Sequence, residues 1–205
     1  MVALALDTAT TRARVGALAD GRWALRGFDD ALAAQSALVL AEEALRAVGA
    51  DPTMISRIAV GCGPGSFTAL RIGVATAHGL AAATGAELIG VSTLAALRLG
   101  AGADGAVAVV DARRGEVFAE GPDLVEQVLA PEALAMRLSP GVIALGDGAL
   151  RFRSLLEAAG AQVPPADDPR HGPQPSVLLS LAERTPLPPL PRYLREPDAV
   201  PTEAR

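Results

Sequence analysis

The run Gly61-Cys62-Gly63-Pro64-Gly65-Ser66-Phe67-Thr68 concentrates residues whose types and spacing suggest chemistry. It follows a short apolar stretch of the buried-strand type, Ser56 to Val60, and leads into a segment of helical character from Phe67 to Thr84. A strand that enters a glycine loop and leaves as a helix sets backbone N–H groups at the positive end of a helix dipole, which can hold an anion. The run matches neither GxxxxGK(S/T) nor GxGxxG, and Pro64 has no N–H to offer. A tight turn accounts for the same residues: glycines allow positive φ, Pro64 sets the bend, and Ser66 stands at the helix N-cap.

A second group lies near the N-terminus, where Val2-Ala3-Leu4-Ala5-Leu6 ends at Asp7 and is followed by Thr8-Ala9-Thr10-Thr11. This resembles the first phosphate loop of actin-like ATPases, in which an acidic residue holds a metal and a glycine admits phosphate to the backbone. Here the glycine position is Ala9, whose methyl crowds a phosphate that must approach to about 2.9 Å. Asp7, Thr8 and Thr10 therefore read as a degenerate phosphate loop, and Asp111 as a brace for its own turn.

Other chemistry finds little footing. All eighteen basic residues are arginine, which excludes any mechanism that needs a lysine, including a Schiff base. The two histidines, His78 and His171, form no HExxH or HxxxH, and Cys62 alone cannot make an internal disulfide. Cys62 beside a helix start could gain thiolate character, or be a small core residue. Spacing leaves a Ser–His–Asp triad open, though no nucleophile elbow marks one. No catalytic residue, metal site or cofactor is expected. A net charge of −5 argues against broad, unaided nucleic-acid binding. No charged leader precedes an apolar run and no stretch reaches about eighteen apolar residues, so the chain reads as cytoplasmic.

Around these groups the pattern predicts an α/β chain that repeats itself. The first strand ends at Asp7; strands near Arg14–Ala19 and Trp23–Phe28 flank an Asp20-Gly21 hairpin; a helix spans residues 31–48, closed by Gly49. The long helix is capped by Gly85, a strand runs from Leu88 to Val91, and Ser92 N-caps a short helix to about Leu99. The order then restarts: Ala106 to Val110 ends at Asp111, a turn at Ala112–Gly115 leads into a strand from Glu116 to Ala119 with Leu124 to Leu129 as its return, and a helix starts at Pro131. Ile143-Ala144-Leu145-Gly146 echoes Ile58-Ala59-Val60-Gly61. The spacing predicts two lobes, residues 1–103 and a shortened 104–205. Half the chain is apolar but only 3% is aromatic, so Ala, Leu and Val must fill the cores.

Two helices carry more apolar surface than one core requires. On 31–48, Ala34, Leu38, Ala41, Leu45 and Val48 share an arc that Ala33, Ala37, Leu40, Ala44 and Ala47 widen to about half the circumference. On 67–84, Leu70, Ile72, Val74 and Leu80 point different ways, and Ala69, Gly73 and Ala77 form a stripe of small residues. Either a partner covers them or an alanine-rich composition simply exposes alanine. Arg71 and His78 are candidate contacts on the polar face. Eleven of the sixteen prolines fall between Pro164 and Pro201, and that region is expected to be neither helix nor central strand but coil laid over the surface.

Gly63-Pro64-Gly65-Ser66-Phe67-Thr68 with Leu70-Arg71-Ile72-Gly73, Leu4-Ala5-Leu6-Asp7-Thr8-Ala9-Thr10, and Gly90-Val91-Ser92-Thr93-Leu94-Ala95-Ala96-Leu97 resemble the TsaB (YeaZ) family. Asp111-Ala112-Arg113-Arg114-Gly115-Glu116-Val117-Phe118 and Pro191-Arg192-Tyr193-Leu194-Arg195 continue the match. The resemblance implies a duplicated actin-like fold, and a non-catalytic subunit of the bacterial machinery for threonylcarbamoyl transfer to tRNA adenosine. It implies a catalytic TsaD partner met through the first-lobe helices, the ATPase TsaE joining, self-association through the same surface, and tRNA contact only through the complex. The expected interface is Leu38, Ala41, Leu45, Val48, Arg71, Ile72, Gly73, Ala77 and His78. Two departures stand out: Ala69 replaces a usual glycine, and the second-lobe hairpin is short.

Overall fold

A computed structural model describes residues 1–29, 36–102 and 105–195. Its first sheet has the order β3-β2-β1-β4-β5, built from β1 (Val2–Asp7), β2 (Arg12–Ala19), β3 (Arg22–Asp29), β4 (Ile55–Gly61) and β5 (Glu87–Val91). β1 to β3 form an antiparallel meander, and β1, β4 and β5 run parallel. The Asp20-Gly21 turn has positive φ at both residues, 48° and 77°, as a two-residue hairpin of this hand requires.

β1 is buried on both faces, and its alternation sorts the core. Val2, Leu4 and Leu6 face α1 (Ala37–Ala47) and α2 (Phe67–Thr84), whereas Ala3 and Ala5 face the other side. α2 has the predicted limits, with Gly85 as its left-handed cap. Of the helix predicted over 31–48, the structure describes α1 from Ala37; residues 31–35, including Ala33 and Ala34, lie outside the described residues.

The second sheet repeats the first in miniature. β6 (Val107–Arg113), β7 (Glu116–Gly121), β8 (Leu124–Leu129) and β9 (Ala144–Leu145) take the order β8-β7-β6-β9, with β6 antiparallel to β7 and parallel to β9. Among the described residues, β5 is the one strand of the first sheet without a counterpart. Short helices α4 (Pro131–Ala135), α5 (Asp147–Arg151) and α6 (Arg153–Ala158) complete this lobe. α3 (Thr93–Gly100) lies between the lobes, its Leu94 and Leu97 packed on Ala108, Val110 and Phe118 of the second sheet. Ser92 caps it through the Ala95 N–H, as predicted.

The proline-rich region needs a correction. It contains α7 (Pro175–Arg184), whose Leu178, Leu179, Leu181 and Ala182 pack on Ala3, Ala5 and Ala59 of the first sheet. Pro175 sits in the first turn, where its missing N–H costs nothing. α7 therefore packs on the first lobe, across the predicted division at 103/104. Beyond it the chain is coil, as expected. Gly90 and Leu187 exchange two backbone hydrogen bonds of 2.9 and 2.8 Å, and the Arg192 N–H donates to the Cys62 carbonyl.

Candidate functional site

The loop after β1 is closed by its own hydrogen bonds. Asp7 is buried; one carboxylate oxygen accepts from the Ala9 N–H (2.8 Å), the other from the Thr93 hydroxyl (2.7 Å). The same hydroxyl accepts from the Gly63 N–H, tying the glycine loop to β1 and α3. Burial raises the Asp7 pKa to about 6, against the pull of these two bonds and with a small push from Asp147. Thr8 donates to the Ala69 carbonyl (2.6 Å), and Thr10 accepts from the Arg12 N–H (3.1 Å).

The glycine run lies directly on this loop. The Ser66 N–H donates to the Ala9 carbonyl (2.7 Å), so it is not presented to an anion. Gly65 is required here, because a Cβ would collide with that same carbonyl; likewise a Cβ on Gly73 would collide with the Thr8 hydroxyl. Gly63 and Pro64 are buried, Phe67 and Thr68 exposed. Ser66 stands at the N-cap as predicted but makes no side-chain cap bond. The two readings of this run thus resolve as a tight turn that packs helix against loop. Cys62 is fully buried, and burial pushes its thiol up to about 11, which makes it a core residue rather than a nucleophile.

The second lobe uses the same device. Asp111 accepts from the Arg113 N–H two residues on, as Asp7 does from Ala9, and it also pairs with Arg151 (2.7 Å). Asp147, which the sequence reading passed over, joins the lobes. One of its oxygens accepts from the Thr11 N–H and hydroxyl (2.9 and 3.1 Å), the other from the Asp111 N–H (3.0 Å). Its signal is its place between Gly146 and Gly148, where the first lobe has Cys62 between Gly61 and Gly63. His171 is buried beneath it: Nδ1 accepts from the Gly146 N–H (3.2 Å) and Nε2 faces the Pro164 carbonyl (3.0 Å). Among the described residues, no cluster of three or more His, Cys, Asp or Glu could hold a metal.

The predicted interface residues divide into two sets. Ala41, Leu45, Val48 and Ala77 are buried in the chain's own first core, and Gly73 is buried against Thr8. They have no surface to offer, because α1 and α2 turn these faces onto the sheet. Leu38 and its neighbour Val39 stay 56% and 55% exposed on α1, and Ile72 is half-buried. Arg71 and His78 are exposed but already engaged by the C-terminal coil. Arg71 donates to the Tyr193 hydroxyl (3.0 Å) and lies over the Phe67 ring; His78 donates to the Pro189 carbonyl (2.7 Å). Sequence spacing could not reveal partners more than a hundred residues away.

Two sheets of one topology, each with an aspartate on its leading strand and paired glycines after its crossover strand, define a duplicated two-lobed actin-like fold whose first loop is closed by its own hydrogen bonds. A profile of the family "TsaD: tRNA N6-adenosine threonylcarbamoyltransferase" matches residues 33–133. The chain is 40% identical over 123 residues to the Escherichia coli (strain K12) tRNA threonylcarbamoyladenosine biosynthesis protein TsaB, covering 56% of this chain and 52% of that one. It is 35% identical over 150 residues to an uncharacterized protein of Mycobacterium tuberculosis (strain ATCC 25618 / H37Rv), covering 72% and 67% of the two. YeaZ from Pseudomonas aeruginosa superposes with a TM-score of 0.75 at 28% identity, over 94% of this chain and 99% of that structure. The chain belongs to the TsaB (YeaZ) family. It spans about half the length of the Escherichia coli relative.

Proposed function

We propose that this chain is a non-catalytic subunit of the bacterial machinery that makes threonylcarbamoyladenosine in tRNA, and that it supports a TsaD-type catalytic subunit by docking it on the α1–α2 layer. The observation that carries the reading is the uncovered apolar side of that layer. Leu38 and Val39 on α1, with Ala75, Gly79, Ala82 and Ala83 on α2, are exposed while the opposite sides of both helices fill the core. The closed loop at Asp7–Thr10 supports the non-catalytic half: its polar groups are spent on internal hydrogen bonds. A TsaE-type ATPase would join this assembly, a second copy of the chain would compete for the same layer, and tRNA would be held by the assembled complex, since the net charge of −5 disfavours binding by this chain alone. Such an assembly works in the cytoplasm; among the described residues no helix is long and apolar enough to cross a membrane.

Light scattering after size-exclusion chromatography, on the chain alone and mixed with a TsaD from the same source, tests this. A one-to-one complex is expected. Leu38→Asp should weaken it about tenfold or more, as loss of a buried anchor does, with the melting temperature unchanged. Separate peaks at micromolar concentration, or full affinity in Leu38→Asp, would remove the support for this reading.

A further inference from the structure

β3 closes one side of the first sheet: it pairs with β2 and, among the described residues, no strand pairs with its other edge. A bare strand edge is a template for another chain, and proteins blunt it with a bulge, a proline or an edge lysine. β3 uses none of these. Its register with β2 runs from Arg22 to Asp29 without a shift, it contains no proline, and the chain has no lysine. Its two arginines are drawn to the α1 side, Arg22 by the Val48 carbonyl and Arg26 by Glu43 (3.8 Å). In a hairpin with a two-residue loop the flanking residues, here Ala19 and Arg22, exchange both backbone bonds. Alternation down the ladder then turns the backbone groups of Trp23, Leu25, Gly27 and Asp29 outward. The Leu25 carbonyl accepts from the guanidinium of Arg26 (2.8 Å), an exposed contact that a strand N–H can replace.

The side chains of this edge are apolar as well. Trp23, Leu25 and Phe28 are 46%, 46% and 49% exposed. Trp23 and Leu25 pair with Leu18 and Gly16, whose own partners are Ala3 and Ala5, so both lie on the α7 side of the sheet. Pro175 packs on Gly16, where a Cβ would collide with it, and Trp23 and Leu25 lie beyond that contact.

We propose that β3 pairs antiparallel with β3 of a second copy of this chain, joining two five-stranded sheets into one. Symmetry and charge choose the register. A two-fold axis normal to the sheet keeps like faces together, so the central residue opposes itself. The centres that keep most of β3 paired are Ala24, Leu25 and Arg26. Centred on Arg26, the two copies of that arginine face each other. Centred on Ala24, Arg22 faces Arg26 of the copy. Like charges directly opposed are destabilising. Centred on Leu25, none are opposed: Leu25 meets Leu25, Trp23 covers the bare backbone of Gly27, and Arg22 meets the Phe28 ring. The contact is on β3 and uses neither Leu38 nor α2, so the inference does not rest on the α1–α2 reading.

Sedimentation velocity of the full chain, from micromolar to several hundred micromolar, tests it, and a weak dimer is expected from a single strand pair. Because position 25 meets itself, Leu25→Lys sets two like charges face to face and should weaken the dimer at least about tenfold, as should Leu25→Glu. An equimolar mixture of these two variants should recover the dimer, since opposite charges then meet. A mixture of Trp23→Lys with Trp23→Glu should recover nothing, because those positions lie four residues out of register, about 14 Å apart. A parent that stays monomeric throughout overturns the proposal, as does a dimer that Leu25→Lys leaves intact or a Leu25 mixture that recovers nothing. A dimer broken by Leu38→Asp but not by Leu25→Lys puts the second copy on the α1–α2 layer and overturns it too. Leu25 is half exposed, so its variants should melt as the parent does; if one melts lower, the mixture decides, since a misfolded chain cannot restore the dimer. Complex formation with TsaD, scored by light scattering, reports on the α1–α2 reading separately.

Discussion

Asp7→Asn should make the protein more stable at neutral pH, and the size of the gain follows from burial. The carboxylate is held at the end of β1 with a pKa raised from 3.8 to about 6, so at pH 7.5 it is ionised in the fold at a cost. Two pKa units correspond to about 3 kcal/mol of differential free energy. The sign follows from linkage. A folded pKa above the unfolded one means that the stability held below pH 3.8 is lost as pH rises through about 6. Asparagine removes the charge and keeps an oxygen for the Ala9 N–H. Its amide then meets the Thr93 hydroxyl, which already accepts from Gly63 and loses the carboxylate it donated to. That exchange costs about 1–2 kcal/mol.

The net expectation at pH 7.5 is a gain of about 1–2 kcal/mol, a rise of a few degrees in melting temperature for a chain of this length. The informative quantity is the difference between variant and parent across pH, because other titrating groups cancel in it. Calorimetry or circular dichroism melts at pH 7.5, 6.5, 5.5 and 4.5 should show the advantage shrinking steadily and reversing near pH 4.5, where the parent carboxyl is protonated. A variant that is less stable at pH 7.5 by an amount independent of pH would refute the reasoning. The hydrogen bonds of the carboxylate would then outweigh its burial.

Three other outcomes follow from the same contacts. His171 is buried and neutral, and burial lowers its pKa, so its contribution is full above the ordinary histidine value of about 6.5 and fades as pH falls below it. His171→Gln, unable to reach both the Gly146 N–H and the Pro164 carbonyl, should cost about 1–3 kcal/mol at pH 7.5 and flatten that acid limb in urea titrations. Asp147→Ala strips the acceptor from Thr11 and Asp111 at once and should cost about 2–4 kcal/mol, with faster hydrogen exchange at both amides if the lobes are joined there. Leu45→Asp should unfold the chain where Leu38→Asp does not, since only Leu45 lies in the core; equal melting temperatures would reverse the assigned faces.

The limits of α2 were legible because local chemistry marks them: Pro64-Gly65-Ser66 before the helix and Gly85 after it. The duplication was legible because Asp7 and Asp111 end similar apolar runs, and both make the same bond to the backbone two residues on. Which face of α1 points inward was not. A helix apolar around half its circumference carries no local signal to choose a side, and Leu45 went in while Leu38 stayed out. α7 was hidden by the proline count around it. The ten residues from Pro175 to Arg184 contain proline only in the first turn, where a helix accepts it. The inter-lobe bonds of Asp147 and the contacts of Arg71 and His78 with the C-terminal coil depend on how distant segments meet, and no periodicity encodes that.

The loop after β1, whose residues resemble the first phosphate loop of actin-like ATPases, here positions a helix. Thr8 bonds the Ala69 carbonyl, Gly73 allows Thr8 to approach, Ala9 accepts from Ser66, and Asp7 reaches the glycine loop through Thr93. Each of these contacts ends on α2 or on the turn that launches it. α1 packs beside α2 and leaves Leu38 and Val39 exposed, and the N-terminal end of α2 lines a cleft with the β6–β7 turn. A buried carboxylate that costs stability is a poor choice for a core alone. It becomes intelligible as the centre of a rigid support that sets the angle of α2, on which the partner surface proposed above would depend. Stability lost at Asp7 would then be offset by precision at that proposed surface, which a neutral, better-packed loop would leave free to shift.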